Sequence, residues 1–486
     1  MLSADTGATG RATATPRAAL PRVRVHPDGH YLQLGDGRPF FWLGDTAWLI
    51  MHRATREEAS YYLHARARQG FNVIQVSLLP ETDGLRTPSA WGELPFEGID
   101  PLKPREAYFR LVDDFFTEAA SLGLYVAVIA CWGDKMTAPW GDGPRIFTTG
   151  NLPVARQYGR WLGTRYVAHT NVLWFMGGDR PPRLGGHPSN WSESTGVQAG
   201  FPKDHDWTPI WREMATGLLE GTQGQALISY HPQGGAATTS VYLHHEPWLM
   251  LNSMQSGHGG GHDQPVWAWI ERDFALTPAK PTFDSEPNYE DHPVSPWPRW
   301  DPAVGYFRDL DVRKQCWRSV FAGGCGVTYG HHAIWHWCGD RYDAINHADR
   351  DWRDALTRPG ACQVRHLRDL LESRPFFTRV ADQAMILSGA GEGGGHIRAT
   401  RDAAGTWAAL YVPRSDQRVR VDLAVLRAAS RVRAWWFDPR NGLGRLIGEL
   451  PTSTPAEFTS PSFGPDWVLV LDDLAAAFAP PGLRPA

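Results

Sequence analysis

Cysteine is scarce in this 486-residue chain, and lysine is scarce as well. The five cysteines, Cys131, Cys316, Cys325, Cys338 and Cys362, are odd in number and irregularly spaced, with no Cys-x-x-Cys pair. A disulfide frame and a thiolate zinc site are therefore not indicated, and reduced, mostly buried thiols are expected. A phosphate ligand would want a lysine beside a glycine-rich helix N-terminus, so the scarcity of lysine argues against a sugar phosphate. No run of five like charges occurs and the net charge is −4, so neither nucleic acid nor a membrane surface is an expected partner. The longest apolar run, Tyr125 to Trp132, is far too short to span a bilayer. No serine stands in a Gly-x-Ser-x-Gly elbow, which argues against an α/β-hydrolase. Residues 1–22 are rich in Ala, Thr, Arg and Pro and lack the apolar core of a signal peptide. They read as a disordered leader on a cytoplasmic protein, or on a secreted one if a leader has been removed.

What is abundant is tryptophan, at 23 residues. Part of that serves a core, which a hydrophobic content of 42% can build. Indole faces also stack on the apolar faces of sugars, so a carbohydrate cleft is a second use.

Buried strands and amphipathic helices alternate from about residue 39. Pro39 to Asp45 reads as the first buried strand, with no Gly-x-Gly-x-x-Gly turn after it of the dinucleotide-binding kind. Thr55-Arg-Glu-Glu58 is a capping box opening a helix that stops at Gly70. Further strands fall at 71–79, 124–131, 171–176, 226–230, 248–253, 281–284 and 326–329, with helical spacing between most of them. Eight such cycles within roughly 350 residues predict a (β/α)8 TIM barrel over 23–376, an α/β fold. After Phe377 the strands become short and are separated by Gly, Pro, Asp and Asn. Asp438-Pro-Arg-Asn-Gly442 is a hairpin turn, and residues 377–474 read as an all-β sandwich, with a loose tail at 475–486.

Barrel chemistry sits at the C-terminal ends of the strands. Those ends are Asp45, Glu81, Trp132, Asp179, His231, Gln255, Glu286 and His331. Asp179 follows Trp174-Phe-Met-Gly-Gly178, and Glu286 follows Thr282-Phe-Asp-Ser285. Two carboxylates at the tops of separate parallel strands are what glycosidic bond cleavage requires. The general acid needs its proton held near neutral pH by burial or a nearby anion, while the nucleophile must stay ionised. By analogy with barrels that use strands four and seven, Asp179 is the expected acid/base and Glu286 the expected nucleophile. Retention follows if they lie ~5–5.5 Å apart, inversion at roughly 6.5–9.5 Å. Asp45, Trp132, His231, Gln255, Tyr329, His331 and Trp335 are the expected substrate contacts. No metal or other cofactor is expected. His258 and His262 lie in a glycine run that cannot hold a helical His-x-x-x-His face. A dinuclear site on His331, His332 and His336 is the metal alternative.

With these residues placed, the chain resembles the apiosidase-like glycoside hydrolases (family 140). The matching stretches are Phe41-Trp-Leu-Gly-Asp-Thr-Ala-Trp48, Gly70-Phe-Asn-Val-Ile-Gln-Val76, Trp174-Phe-Met-Gly-Gly-Asp179, Asp284-Ser-Glu-Pro-Asn-Tyr289 and Ala434-Trp-Trp-Phe-Asp-Pro-Arg-Asn-Gly442. The resemblance implies a (β/α)8 domain joined to a C-terminal β-domain that carries a collagen-binding label. It places the family's catalytic pair on Asp179 and Glu286 and implies activity on the branched furanose apiose. Most four/seven barrels show Asn-Glu at the acid/base, whereas Gly178-Asp179 stands here. The shorter acid reaches less far by about 1.5 Å, and the usual partner of a sugar 2-hydroxyl is missing. A pyranosidase working on the same pair, and a barrel that only binds carbohydrate, are the competing readings. Sugar, linkage, anomer and oligomeric state are not encoded legibly.

Overall fold

The computed structural model describes residues 19–82, 84–137, 143–184, 205–295, 299–426 and 430–483. Residues 1–18 of the expected leader and 484–486 of the expected tail lie outside them. Of the leader's last four residues, the Leu20 carbonyl accepts from Thr170 Oγ1 at 2.6 Å and that of Pro21 from the Tyr125 hydroxyl at 2.5 Å. The tail is tied down as well: the Ala479 carbonyl accepts from Arg374 Nη2 at 3.1 Å.

A short antiparallel hairpin, β1 (Val23–Val25) and β2 (Leu32–Leu34), precedes the barrel. Eight strands follow: β3 (Trp42–Thr46), β4 (Val73–Ser77), β5 (Tyr125–Ile129), β6 (Val172–Gly177), β7 (Ile228–His231), β8 (Asn252–Met254), β9 (Thr282–Asp284) and β10 (Gly326–Tyr329). Every residue in them is buried, because one face fills the barrel and the other meets helices. The sheet order is β7-β6-β5-β4-β3-β10-β9-β8, parallel throughout. The ring closes between β7 and β8, where Met250 N–H donates to the Ile228 carbonyl at 2.9 Å and Gly234 bridges Gln255. This is the predicted (β/α)8 barrel. The predicted capping box is formed: Glu58 N–H donates to Thr55 Oγ1 at 3.2 Å and Thr55 N–H to Glu58 Oε2 at 2.9 Å. Its helix, Arg56–Gln69, ends at Gly70 with φ 93°.

The barrel interior is layered. Trp42, Phe175 and Phe283 form an aromatic floor, with ring centroids 4.8 to 6.3 Å apart. Above it lies a polar layer. Trp42 Nε1 donates to Thr328 Oγ1 (3.0 Å), and Gln75 Nε2 donates to Thr46 Oγ1 (3.3 Å) and the Ser285 carbonyl (2.9 Å). These bonds fix the strand ends that carry the site.

The C-terminal unit is all-β: β11 (Arg379–Ala381), β12 (Ile386–Ser388), β13 (Arg398–Asp402), β14 (Trp407–Val412), β15 (Arg418–Val421), β16 (Arg431–Asp438), β17 (Leu443–Pro451), β18 (Ala456–Thr459) and β19 (Trp467–Asp473). A six-stranded sheet, β11-β13-β14-β19-β16-β17, packs on a three-stranded one, β12-β15-β18. In β14 and β19, Ala408, Leu410, Leu469 and Leu471 face the smaller sheet, while Trp407, Ala409, Tyr411, Val468 and Val470 face the barrel. Both faces are covered, so these strands read as continuous apolar runs instead of alternating ones.

The element between the two units is the helix Asp309–Phe321, buried from Asp311 onward. All five cysteines are free, four of them buried and Cys362 exposed.

Candidate active site

β6 ends in three residues with left-handed backbone: Gly177 (φ 92°), Gly178 (φ 91°) and Asp179 (φ 51°). The glycines are forced by proximity. A Cβ on Gly177 would lie 2.2 Å from the His231 carbonyl, and one on Gly178 would lie 2.9 Å from Trp132 Cδ2. The turn therefore presses β6 against the ends of β5 and β7 and delivers Asp179 in a conformation that costs a non-glycine residue about 1 kcal/mol or more. Arg180, fully buried, donates through Nη1 to the Asp179 carbonyl (2.7 Å) and Asp179 Oδ2 (3.2 Å), and through Nη2 to Glu81 Oε1 (2.6 Å). Withdrawal from water raises the Asp179 carboxyl, to about 8; Arg180 opposes the rise, and the carboxylates of Glu81 and Glu286 add to it. With 30% of its side-chain surface still open, the upward direction is what the chemistry uses.

Glu286 is in the opposite environment. Its Oε2 accepts from Trp48 Nε1 at 2.9 Å and its Oε1 from Gln255 Nε2 at 2.8 Å. The Tyr289 hydroxyl lies beside it and accepts from Trp48 Nε1 at 3.1 Å. His231 Nε2 and His258 Nε2 approach it at 3.3 and 3.4 Å. His258 Nδ1 accepts from Tyr289 N–H at 3.2 Å, so in the neutral ring Nε2 carries the hydrogen that faces Glu286. Burial alone would raise the carboxyl; bonding and charge from His231 and His258 outweigh it and hold Glu286 well below the ordinary carboxylate range. Asp284 sets the loop by accepting from Ser256 Oγ (2.5 Å) and Glu286 N–H (3.3 Å).

Gln255 stands near both acids: its amide donates to Glu286 at 2.8 Å and opposes the rise of the Asp179 carboxyl. Trp48, Trp132 and His231 form one wall, with Trp48 5.3 Å from Trp132 and 5.0 Å from His231 between ring centroids. Trp335 is half-buried; its carbonyl accepts from Leu49 N–H at 3.0 Å and its indole Nε1 donates to His332 Nδ1 at 3.3 Å.

Three expected contacts lie elsewhere. Asp45 is fully buried behind the barrel wall, accepting from Arg66 Nε at 2.6 Å and from the Tyr62 hydroxyl. Tyr329, its register partner on β10, points the same way and donates to Glu290 Oε2 at 2.7 Å. Side chains alternate along a strand, so Trp42, Gly44 and Thr46 face the barrel interior and Asp45 faces the helices. His331 pairs with Asp291 Oδ2 at 3.1 Å and caps a short helix by accepting from Ala333 N–H. The other histidines are also engaged. His332 Nε2 meets the Asn346 carbonyl (2.9 Å), His336 Nε2 accepts from Ile345 N–H (3.3 Å), and His262 Nδ1 pairs with Asp311 (3.0 Å). Sequence reasoning missed Trp48, His258 and Tyr289. Trp48 has the inward parity of Thr46, and His258 and Tyr289 each stand three residues beyond a named site residue, Gln255 and Glu286. A surface depression of about 270 Å³ beside Tyr61, Arg68 and Cys362 lies on the outer helix layer, away from these acids.

The family model described as "Apiosidase-like, catalytic domain" matches residues 26–378, the span that contains both carboxylates and their partners. The chain belongs to the apiosidase-like family. A collagen-binding domain model, described from a collagenase, matches residues 380–472 of the sandwich. The chain is similar to a glycoside hydrolase family 5 structure from Bacteroides vulgatus ATCC 8482, with 30% identity, 93% of each chain covered and a TM-score of 0.79. A second structure, titled a glycoside hydrolase, has 29% identity, covers 94% of this chain and 97% of its own, and also has a TM-score of 0.79. No curated protein matches the chain. The apiosidase-like domain is thus a glycosidase.

Proposed function

We propose that the apiosidase-like domain cleaves a terminal glycosidic bond with retention of anomeric configuration, using Asp179 as acid/base and Glu286 as nucleophile. The observation that carries this reading is the contrast between the two carboxyls: Glu286 is held by the N–H groups of Trp48 and Gln255, whereas Asp179 is withdrawn from water beside Glu81 and Arg180. Pairs pushed apart in this way divide into a proton holder and an ionised partner. Retention is the outcome if the pair stands ~5–5.5 Å apart, inversion at roughly 6.5–9.5 Å.

In the first step a Glu286 carboxylate oxygen bonds to the anomeric carbon. The bond from that carbon to the leaving oxygen breaks, and the leaving oxygen takes the Asp179 proton. In the second step Asp179, now a carboxylate, takes a proton from water. The water oxygen bonds to the anomeric carbon and Glu286 leaves as carboxylate. Trp48, Tyr289 and Gln255 hold the nucleophile ionised and oriented, and Trp132 and Trp335 supply faces for the sugar.

Apiose at the end of a plant polysaccharide side chain is the substrate we infer, supported by the family model's description. A short acid on a backbone turn pressed close to its neighbours suits a small, branched furanose. The test is a panel of aryl glycosides and plant side chains, with the first-formed anomer read by NMR. Retention, together with loss of turnover in Asp179→Asn and Glu286→Gln, is expected. Wild-type rates in both variants would remove the pair from the mechanism, and an inverted first product would remove the nucleophile role of Glu286.

A further inference from the structure

Glu81 ends β4's loop side of the cleft and has no part in the two steps above. Its carboxylate nevertheless accepts from the Arg180 guanidinium at 2.6 Å, while the Asp179 carboxylate receives a longer bond of 3.2 Å. Arg180 cannot redistribute freely. Its stem lies so close to Gly133 that a Cβ there would meet Arg180 Cγ at 2.4 Å, and its carbonyl is held by the Tyr230 hydroxyl at 2.8 Å. The buried cation is thus shared by these two carboxylates, and the closer contact goes to the one that does no chemistry.

We propose that Glu81 is a positioning residue that draws the Arg180 charge away from Asp179 and so leaves Asp179 able to hold the proton it donates. This rests on the reading of Asp179 as the acid. The charged groups around Asp179, among the described residues, are Glu81, Arg180, Asp134, Lys135 and Glu286, with His231 and His258 beyond Glu286. Asp134 is spent on Lys135 Nζ (2.8 Å) and Gly143 N–H (3.0 Å), and Glu286 on the donors already named. Asp179, Glu81, Asp134 and Glu286 are four carboxyls set against two fixed cations, so one carboxyl holding a proton relieves the cluster. The division of Arg180 selects Asp179 for that role. The same neighbour adds to the rise in Asp179's proton affinity, in keeping with the geometry.

In Glu81→Gln the anion closest to the guanidinium loses its charge, and Asp179 feels more of the cation without Arg180 having to move. An opposite charge at that distance lowers a carboxyl by about one unit or more. The alkaline limb of kcat/KM, measured on whichever aryl glycoside the wild type cleaves, is therefore expected to move down by about one pH unit, a rate about tenfold lower above the limb. Dependence of kcat on leaving-group basicity should steepen in parallel. Glu81→Asp keeps the charge on a shorter arm, and its limb should fall between the two. A Glu81→Gln limb coincident with wild type, in a protein whose Asp179→Asn variant is inactive, overturns the inference and leaves the acid assignment standing. An active Asp179→Asn variant with an unchanged limb removes the acid assignment, and this inference with it. Should Glu81→Gln not fold, a Glu81→Asp limb identical to wild type overturns the inference alone.

Discussion

Asp179 and Glu286 are both carboxylates at the ends of parallel strands, and their surroundings make them different acids. Glu286 is met by the N–H groups of Trp48 and Gln255; Asp179 is met by other carboxylates and a shared arginine. Asp179→Asn is expected to lose about 10²–10⁴-fold in kcat/KM on poor leaving groups. It should also change stability in a pH-dependent way. An unfolded Asp loses its proton near pH 3.9, whereas folded Asp179 keeps it to about 8. Below the lower value both states are protonated and the residue costs nothing. Between the two values the unfolded chain gains by ionising and the folded chain does not, so stability falls as pH rises, until the cost is complete above the higher value. Asparagine carries no such term. Thermal unfolding of Asp179→Asn should therefore match wild type near pH 4 and exceed it by a growing margin toward pH 9. A margin that stays flat or shrinks with pH contradicts the raised carboxyl. Residue parity also explains what the sequence did not disclose. Asp45 and Tyr329 looked like site residues because they end buried strands. A strand covered on both faces shows no polar alternation, so nothing in the letters says which side a terminal acid takes. Arg66, 21 positions after Asp45, decides it.

At the scale of elements, the decisive piece is the turn after β6. Gly178→Ala would place a methyl 2.9 Å from the Trp132 indole and 3.0 Å from Gly133 N, at φ 91°. Strain and overpacking together should cost about 1–3 kcal/mol and displace both Asp179 and Trp132. The expected result is a lower midpoint in urea and a fall in kcat, with the fold retained by circular dichroism. Wild-type stability and kcat would show that the turn is slack. This element was legible from the sequence, because five apolar or aromatic residues running into Gly-Gly-Asp leave few alternatives to a buried strand and a tight turn. So were the capping box at Thr55 and the eight cycles. The loop holding Gln255 and His258 was not. Its glycines and histidines carry no periodicity, and its conformation depends on contacts from distant elements. Lys314 and Arg318 grip Asp263 at 2.9 and 3.3 Å, and Gln315 Nε2 donates to Ser256 Oγ at 2.6 Å.

Those three grips come from one helix, Asp309–Phe321, and at the scale of the whole molecule that helix is where the sandwich meets the site. Arg313 forms a two-pronged bond to Asp466 of the sandwich at 2.9 and 2.8 Å, with both side chains sealed from water. The Tyr411 hydroxyl completes Asp466 at 2.9 Å, and Trp317 stacks on Tyr411 at 5.9 Å. The same helix holds Asn288 N–H through Gln315 Oε1 at 2.8 Å, two residues beyond Glu286. The sandwich thus clamps the outer side of a helix whose inner side fixes the nucleophile loop. Removing one partner of a buried ion pair costs about 3–5 kcal/mol, because the other charge is left without water. Arg313 keeps Asp309 at 2.6 Å, which places Asp466→Ala at the lower end of that range. Replacing both charges by apolar groups, Arg313→Met with Asp466→Leu, removes the sealed pair together, though it leaves the part-buried Asp309 without its arginine, and should recover part of the loss. If the helix transmits the clamp, kcat/KM will follow stability across the series: reduced in Asp466→Ala and partly restored in the double variant. Deletion of the sandwich after residue 378 removes the clamp and bares Trp317, so the remaining barrel should unfold well below the full chain. A truncated barrel with full-length midpoint and kcat/KM would mean that the helix holds its register unaided, and that the sandwich is a separate module that happens to pack there.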